Sequence, residues 1–126
     1  AKVAKNAKIR ENSKVDYYAR VEGAAEVSGR AHISGYALVT GEAKIGGQSQ
    51  IGGRSLVEGS ARVFDRAKVF GCATIRENAR IYDDASISGN ASIEDGSHIF
   101  GKAVISQNAI ICGKKAEIHG HAKIEG

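Results

Sequence analysis

The sequence predicts an all-β fold, a single-stranded triangular parallel β-solenoid of about seven coils of 18 residues. Three observations carry that prediction. A six-residue unit, clearest at Ala85-Ser86-Ile87-Ser88-Gly89-Asn90, runs end to end through all 126 residues, with one extra residue near Lys115. Its third position is Val or Ile in all 21 units, and its first is Ala in 17 and Ser in four. Similarity also recurs at 18 residues: Tyr18 as Tyr36, Leu38 as Leu56, Arg62 as Arg80, and Phe64 as Tyr82 and Phe100. A fixed short period marks a solenoid rather than a globule. Three units then close one turn, and the next turn stacks about 4.8 Å above it, for a rod of roughly 34 Å.

Within each unit, positions one and three share a face under strand alternation, and position two points the other way. Ala or Ser and then Val or Ile therefore face inward, and Lys, Arg, Glu, Ser and His collect outside at position two. A buried Val or Ile contributes roughly 1.5–3 kcal/mol. Alternation breaks at positions five and six, where the chain turns. Gly fills position five in 13 units, as at Gly23, Gly59 and Gly120, and glycine takes positive φ without strain. Where position five is not Gly, position six is usually Asn, Asp or Gly, as in Glu11-Asn12, Glu77-Asn78 and Asp95-Gly96. These residue types are the ones that tolerate left-handed backbone. Each corner is thus expected to place its left-handed residue at position five or six, and Tyr17-Tyr18 fits neither. Gly46-Gly47 and Gly52-Gly53 form a thin girdle, read either as a close approach of another backbone or as neutral drift.

Length bounds the chain to one domain, residues 1–126. Ala1 is already in phase, and no amphipathic helix or polar cap covers either terminus. That reads as a segment of a longer solenoid, or as bare ends that stack end to end. Pro, Met and Trp are absent; lack of Pro suits a chain that must donate almost every N–H to a ladder. No apolar run is long enough for a membrane span and no signal-peptide pattern opens the sequence. The net charge of +4 is compatible with polyanions without indicating one. Two cysteines, Cys72 and Cys112, are too few for a disulfide framework and lie about 14 Å apart along the axis by coil spacing. Reduced, cytoplasmic surroundings are the expectation.

The repeated A-x-[VI]-x-G motif, over the whole chain, resembles the hexapeptide-repeat left-handed parallel β-helices. The resemblance implies a left-handed winding, against the usual crossover hand. It also implies functions found in that family: acyltransferases, γ-class carbonic anhydrases, commonly as trimers, and purely structural solenoids. The Ala-x-Val-x-Gly flavour is closest to uncharacterised bacterial β-solenoid proteins.

The three sides can be called A, B and C, starting from Ala1–Asn6 on A. On face A, Leu38 lies under Leu56 at position two, a candidate self-association patch. Face B stacks Lys44, Arg62 and Arg80 at position two, then His98. Alongside at position four run Phe64, Tyr82 and Phe100, ending near His119. Cations interleaved with aromatics suit a polyanion or a glycan. The competing reading is a self-stabilising ladder, its cations offset by Asp65, Asp83 and Asp84 at the adjoining corner. Face C is mixed, with Lys14, His32, Gln50, Lys68, Ser86, Val104 and Lys123 at position two.

Catalytic chemistry leaves few marks. An acyltransferase of this kind needs a general base and a loop over the acceptor; the insertion at Lys114-Lys115 makes a bulge, not a lid. His98 and His119 occupy one face in consecutive coils, so a base at a trimer cleft, acting with acetyl-CoA, is the enzymatic alternative. A solvated surface histidine is the simpler reading of each. His119 and His121 straddle a corner and His32 is coils away, so no metal triad is expected. The leading expectation is a non-enzymatic structural solenoid that serves as a rigid binding or assembly module, with no cofactor.

Overall fold

The computed structural model describes residues 1–114 and 116–125. Among these residues every strand is two or three residues long, there is no helix, and the strands build three seven-stranded parallel sheets. Each sheet takes every third strand. Face A runs from Lys2–Val3 to Ile110–Ile111, face B from Lys8–Ile9 to Glu117–Ile118, and face C from Lys14–Val15 to Lys123–Glu125. The molecule is therefore an all-β parallel solenoid of about seven turns, and its register confirms the 18-residue turn. Lys2 pairs with Arg20, Leu56 with Thr74, and Ser92 with Ile110. Only across the extra residue does the offset become 19, with His98 opposite Glu117 and Val104 opposite Lys123. The insertion itself involves residue 115, which lies outside the described residues.

The inward columns are those expected from the pattern. The position-three residues are buried in every unit from Val21 through Ile105, Val63 and Ile87 with no exposed area. Burial relaxes only in the outer coils, where Val3 is 44% exposed. Three serines that replace alanine, Ser49, Ser55 and Ser97, are buried too. Each donates its hydroxyl to the carbonyl three residues back, at Gly46, Gly52 and Glu94, over 2.8 Å. A buried hydroxyl with such a partner avoids the cost of an unsatisfied polar group.

The corners are four-residue turns closed by a position-one N–H on the position-four carbonyl, as in Ala31 to Ser28 at 3.3 Å. The position-six N–H continues the ladder through the turn, donating to the position-five carbonyl of the next coil: Gln48 to Asp65 at 2.7 Å. Positive φ falls at position five in every described corner from Glu11 to Gly120 and never at position six. The expectation that Asn or Asp at position six takes the left-handed role is thus corrected. Glu11, Tyr17, Asp65, Glu77, Asp83, Asp95 and Gln107 carry φ of 57–60° themselves. For aspartate the structure supplies a compensation. Asp65 accepts the Asp83 N–H at 3.1 Å, Asp83 the Gly101 N–H at 3.0 Å, and Asp95 the Gly113 N–H at 3.1 Å. Each carboxylate satisfies a corner donor one coil on. Position six builds side-chain ladders instead: Asn90 donates to Asn108 at 3.3 Å, and Tyr18 stacks on Tyr36 with centroids 4.9 Å apart.

The glycine girdle also resolves. A Cβ at Gly47 would sit 2.6 Å from the Asp65 nitrogen, and one at Gly53 2.6 Å from the Gly71 oxygen. The approaching backbone is the chain's own next coil. Gly46 and Gly52 are buried for a different reason: the rings of Phe64 and Phe70 lie over them, and a Cβ at Gly52 would meet Phe70 at 2.9 Å.

Candidate functional site

Face B brings its cations together by ladder register alone. Lys44 is paired with Arg62, Arg62 with Arg80, and Arg80 with His98. Side chains in register lie about 4.8 Å apart, close enough for like charges to oppose one another. Among the described residues none of the three strong cations has a carboxylate oxygen within 4.0 Å, whereas Lys8, Arg10, Arg20, Arg66, Arg76 and Lys123 each do. The aspartates expected to offset them are engaged elsewhere. Asp65 and Asp83 hold backbone N–H groups, and Asp84 pairs with Arg66 at 3.1 Å. The column ends at Glu26 below, which sits 3.9 Å from both Lys8 and Arg10, and at Glu117 above.

The aromatic ladder is shorter than the sequence indicates. Tyr82, Phe100 and His119 form one stack, with centroids 5.0 and 4.9 Å apart and planes within 1° and 17°. Phe64 turns away to cover Gly46. The glycine beneath it offers room that Tyr82 and Phe100, above larger neighbours, do not have. The break between Phe64 and Tyr82 opens as a shallow depression of about 420 Å³ lined by both rings, Gly47, Asp65 and Arg80. Burial, together with the charges of Asp83 and Glu117, raises the Tyr82 phenol above its ordinary value, with Arg80 opposing. Inside the stack the ring faces cover one another, so Phe100 presents its edge to solvent.

The two histidines of face B make separate ring contacts. The His98 ring meets Tyr82 edge-on at 6.4 Å, and His119 stacks on Phe100. The histidine that does have a carboxylate is His32 on face C, with Nε2 2.7 Å from Asp16 Oδ2. Asp16 stands at position four and His32 at position two one coil later, a diagonal visible once the sequence is written at an 18-residue period. Lys14, Arg30 and Gln50 line the open depression around the pair. Among the described residues no three His, Cys, Asp or Glu side chains converge on a point. Cys72 and Cys112 are free and exposed, one at a corner and one on face A.

Leu38 and Leu56 pair in register on face A, both half-buried. Beside them run features the sequence reading passed over. At position four of face A, Arg76 lies 3.8 Å from Glu58 and 3.7 Å from Glu94 in successive coils. At the corner leading into face A, Arg54 stands 5.7 Å over the ring of Tyr36, which is stacked on Tyr18. Comparison with known proteins adds nothing to this geometry: no protein-family model matches the chain, and no curated protein does.

Proposed function

We propose that the chain is a non-enzymatic rod, wound in the left-handed sense of the hexapeptide-repeat solenoids it resembles, whose face B holds an acidic glycan along the rod axis. One observation carries this reading: Lys44, Arg62 and Arg80 stand in register, and among the described residues none has a carboxylate partner. Three aligned cations lower the stability of the isolated rod, and a linear polyanion relieves that cost. The repeat favours a flexible single chain over duplex DNA, whose phosphates recur about every 3.4 Å along each strand against about 4.8 Å for coils. The stack favours a glycan over single-stranded nucleic acid, because base stacking needs exposed aromatic faces and those of Phe100 are covered. Tyr82, Phe64 and His98 then border the track, offering an edge, a depression and a further donor.

The test is binding of a sulfated or uronate glycan to wild type and to Arg62→Ala/Arg80→Ala over a salt series. The double variant should bind more weakly, and the slope of log K against log salt should shrink by about two. Equal affinity and slope in both proteins would retire the proposal, and tighter binding of single-stranded DNA than of glycan would replace the ligand.

A further inference from the structure

We propose that face A is the interface of a parallel two-fold dimer of this chain, with the position-two column of one copy against that of the other. Position two points outward from each unit; on face B it carries charge in six of seven coils, and on face C in three, no more than two uncharged coils standing between charges. On face A it carries none for five coils: Leu38, Leu56, Thr74, Ser92 and Ile110. Ile110 is 68% exposed. An uncharged column over five of the seven coils of one side, beyond Lys2 and Arg20, is the composition of a covered surface, with the charged residues kept to its rims.

The rims identify the occupant as a second copy, and they set its direction. A two-fold axis parallel to the rod and through the leucine column keeps each coil beside its equivalent. Position six on one copy then meets position four on the other. Tyr36 faces the partner's Thr40, and Arg54 faces the partner's Glu58, with Leu38 and Leu56 each against its own equivalent on the axis. Among the described residues Arg54 has no carboxylate within 4.0 Å; its contact is the Tyr36 ring. Glu58 is held at 3.8 Å by Arg76 and keeps an acceptor free. The single row Arg54-Ser55-Leu56-Val57-Glu58 is thus complementary to itself about its central leucine, as an isologous interface requires. Antiparallel pairing over the same five coils fails the test, since it sets Arg76 against Arg76 and Glu58 against Glu94. Area permits the contact: one side of three carries on average about 2200 Å² of the 6591 Å² surface, more than twice the ~800 Å² that each partner of a standard interface buries.

Sedimentation equilibrium over a concentration series tests this. The wild type should fit a monomer–dimer equilibrium, and Leu56→Lys, which sets two like charges against each other on the axis, should weaken it about a hundredfold or more. The fold accepts lysine at this position, as Lys44 and Lys68 show, and circular dichroism confirms that the variant is folded. Arg54→Glu should weaken the dimer, and Arg54→Glu combined with Glu58→Arg should restore it. A wild type that stays monomeric, one that assembles as a trimer, or a Leu56→Lys variant with undiminished dimer overturns the proposal. A swap that fails to rescue overturns the parallel arrangement.

Discussion

Asp83 shows how a residue with a side chain occupies a left-handed corner, and its replacement measures the compensation. Its φ is 59° and its Oδ2 accepts the Gly101 N–H at 3.0 Å. Asp83→Ala keeps the Cβ and the strained backbone but loses the acceptor. Such a hydrogen bond contributes about 0.5–1.5 kcal/mol net, somewhat more when one partner is charged, so Asp83→Ala should be less stable by about 1 kcal/mol. Asp83→Gly loses the same bond, yet it escapes the left-handed penalty of roughly 1–2 kcal/mol for an L-residue. Against that gain, glycine costs about 0.5–1 kcal/mol in chain entropy. The glycine variant should therefore match the wild type within about 1 kcal/mol. Asp83→Asn retains an acceptor on a residue that tolerates the conformation and should be near neutral. Urea unfolding ranks the three, and amide hydrogen exchange at Gly101 reads the bond itself. Protection should fall in the alanine and glycine variants and persist in asparagine. If Gly101 stays protected in Asp83→Ala, or alanine proves as stable as asparagine, the carboxylate is not what makes the corner acceptable.

Two further outcomes follow from corners of the same kind. Glu77 stands directly below Asp95, and a hydrogen bond to that carboxyl, with its negative charge, raises Glu77 above the ordinary glutamate value. A carboxyl whose folded pKa exceeds its unfolded one binds protons more tightly when folded. Stability should then fall as pH rises from the ordinary value through the raised one, and Glu77→Gln should flatten that part of a stability–pH curve; an unchanged curve would show that the pair does not interact. Tyr17 takes φ of 57° with 74% of its surface exposed, a conformation costly for a bulky residue. Tyr17→Gly should raise the urea midpoint by an amount equivalent to about 1 kcal/mol or less, and a fall would mean that the ring makes a contact worth more than the strain.

The winding was legible because one physical demand repeats without exception. Each side must bury an aliphatic, and Val63 and Ile87 stand where that demand puts them. The corners were misread because asparagine at position six imitates a left-handed residue while serving a side-chain ladder, as Asn90 does with Asn108. Aspartate at position five looked like an ordinary turn residue or a counterion. Its actual partner is a backbone N–H 18 residues on, invisible until coils are stacked. Phe64 left its expected ladder because Gly46 beneath it removed the side chain that would have held it upright. The cation column was legible at full strength, since register alone brings Lys44, Arg62 and Arg80 together. The His32–Asp16 pair was not, because it joins different positions on different coils.

The one-residue insertion leaves Glu117 still opposite His98, and this shows what kind of change the rod tolerates. A complete extra turn would act like one more notch on a ruler, lengthening it by about 4.8 Å while every stripe kept its compass bearing. Six added residues would preserve the interior equally well, yet swing everything beyond them by a third of a revolution and cut each stripe in two. Variation in length that spares surface function should therefore come in units of 18.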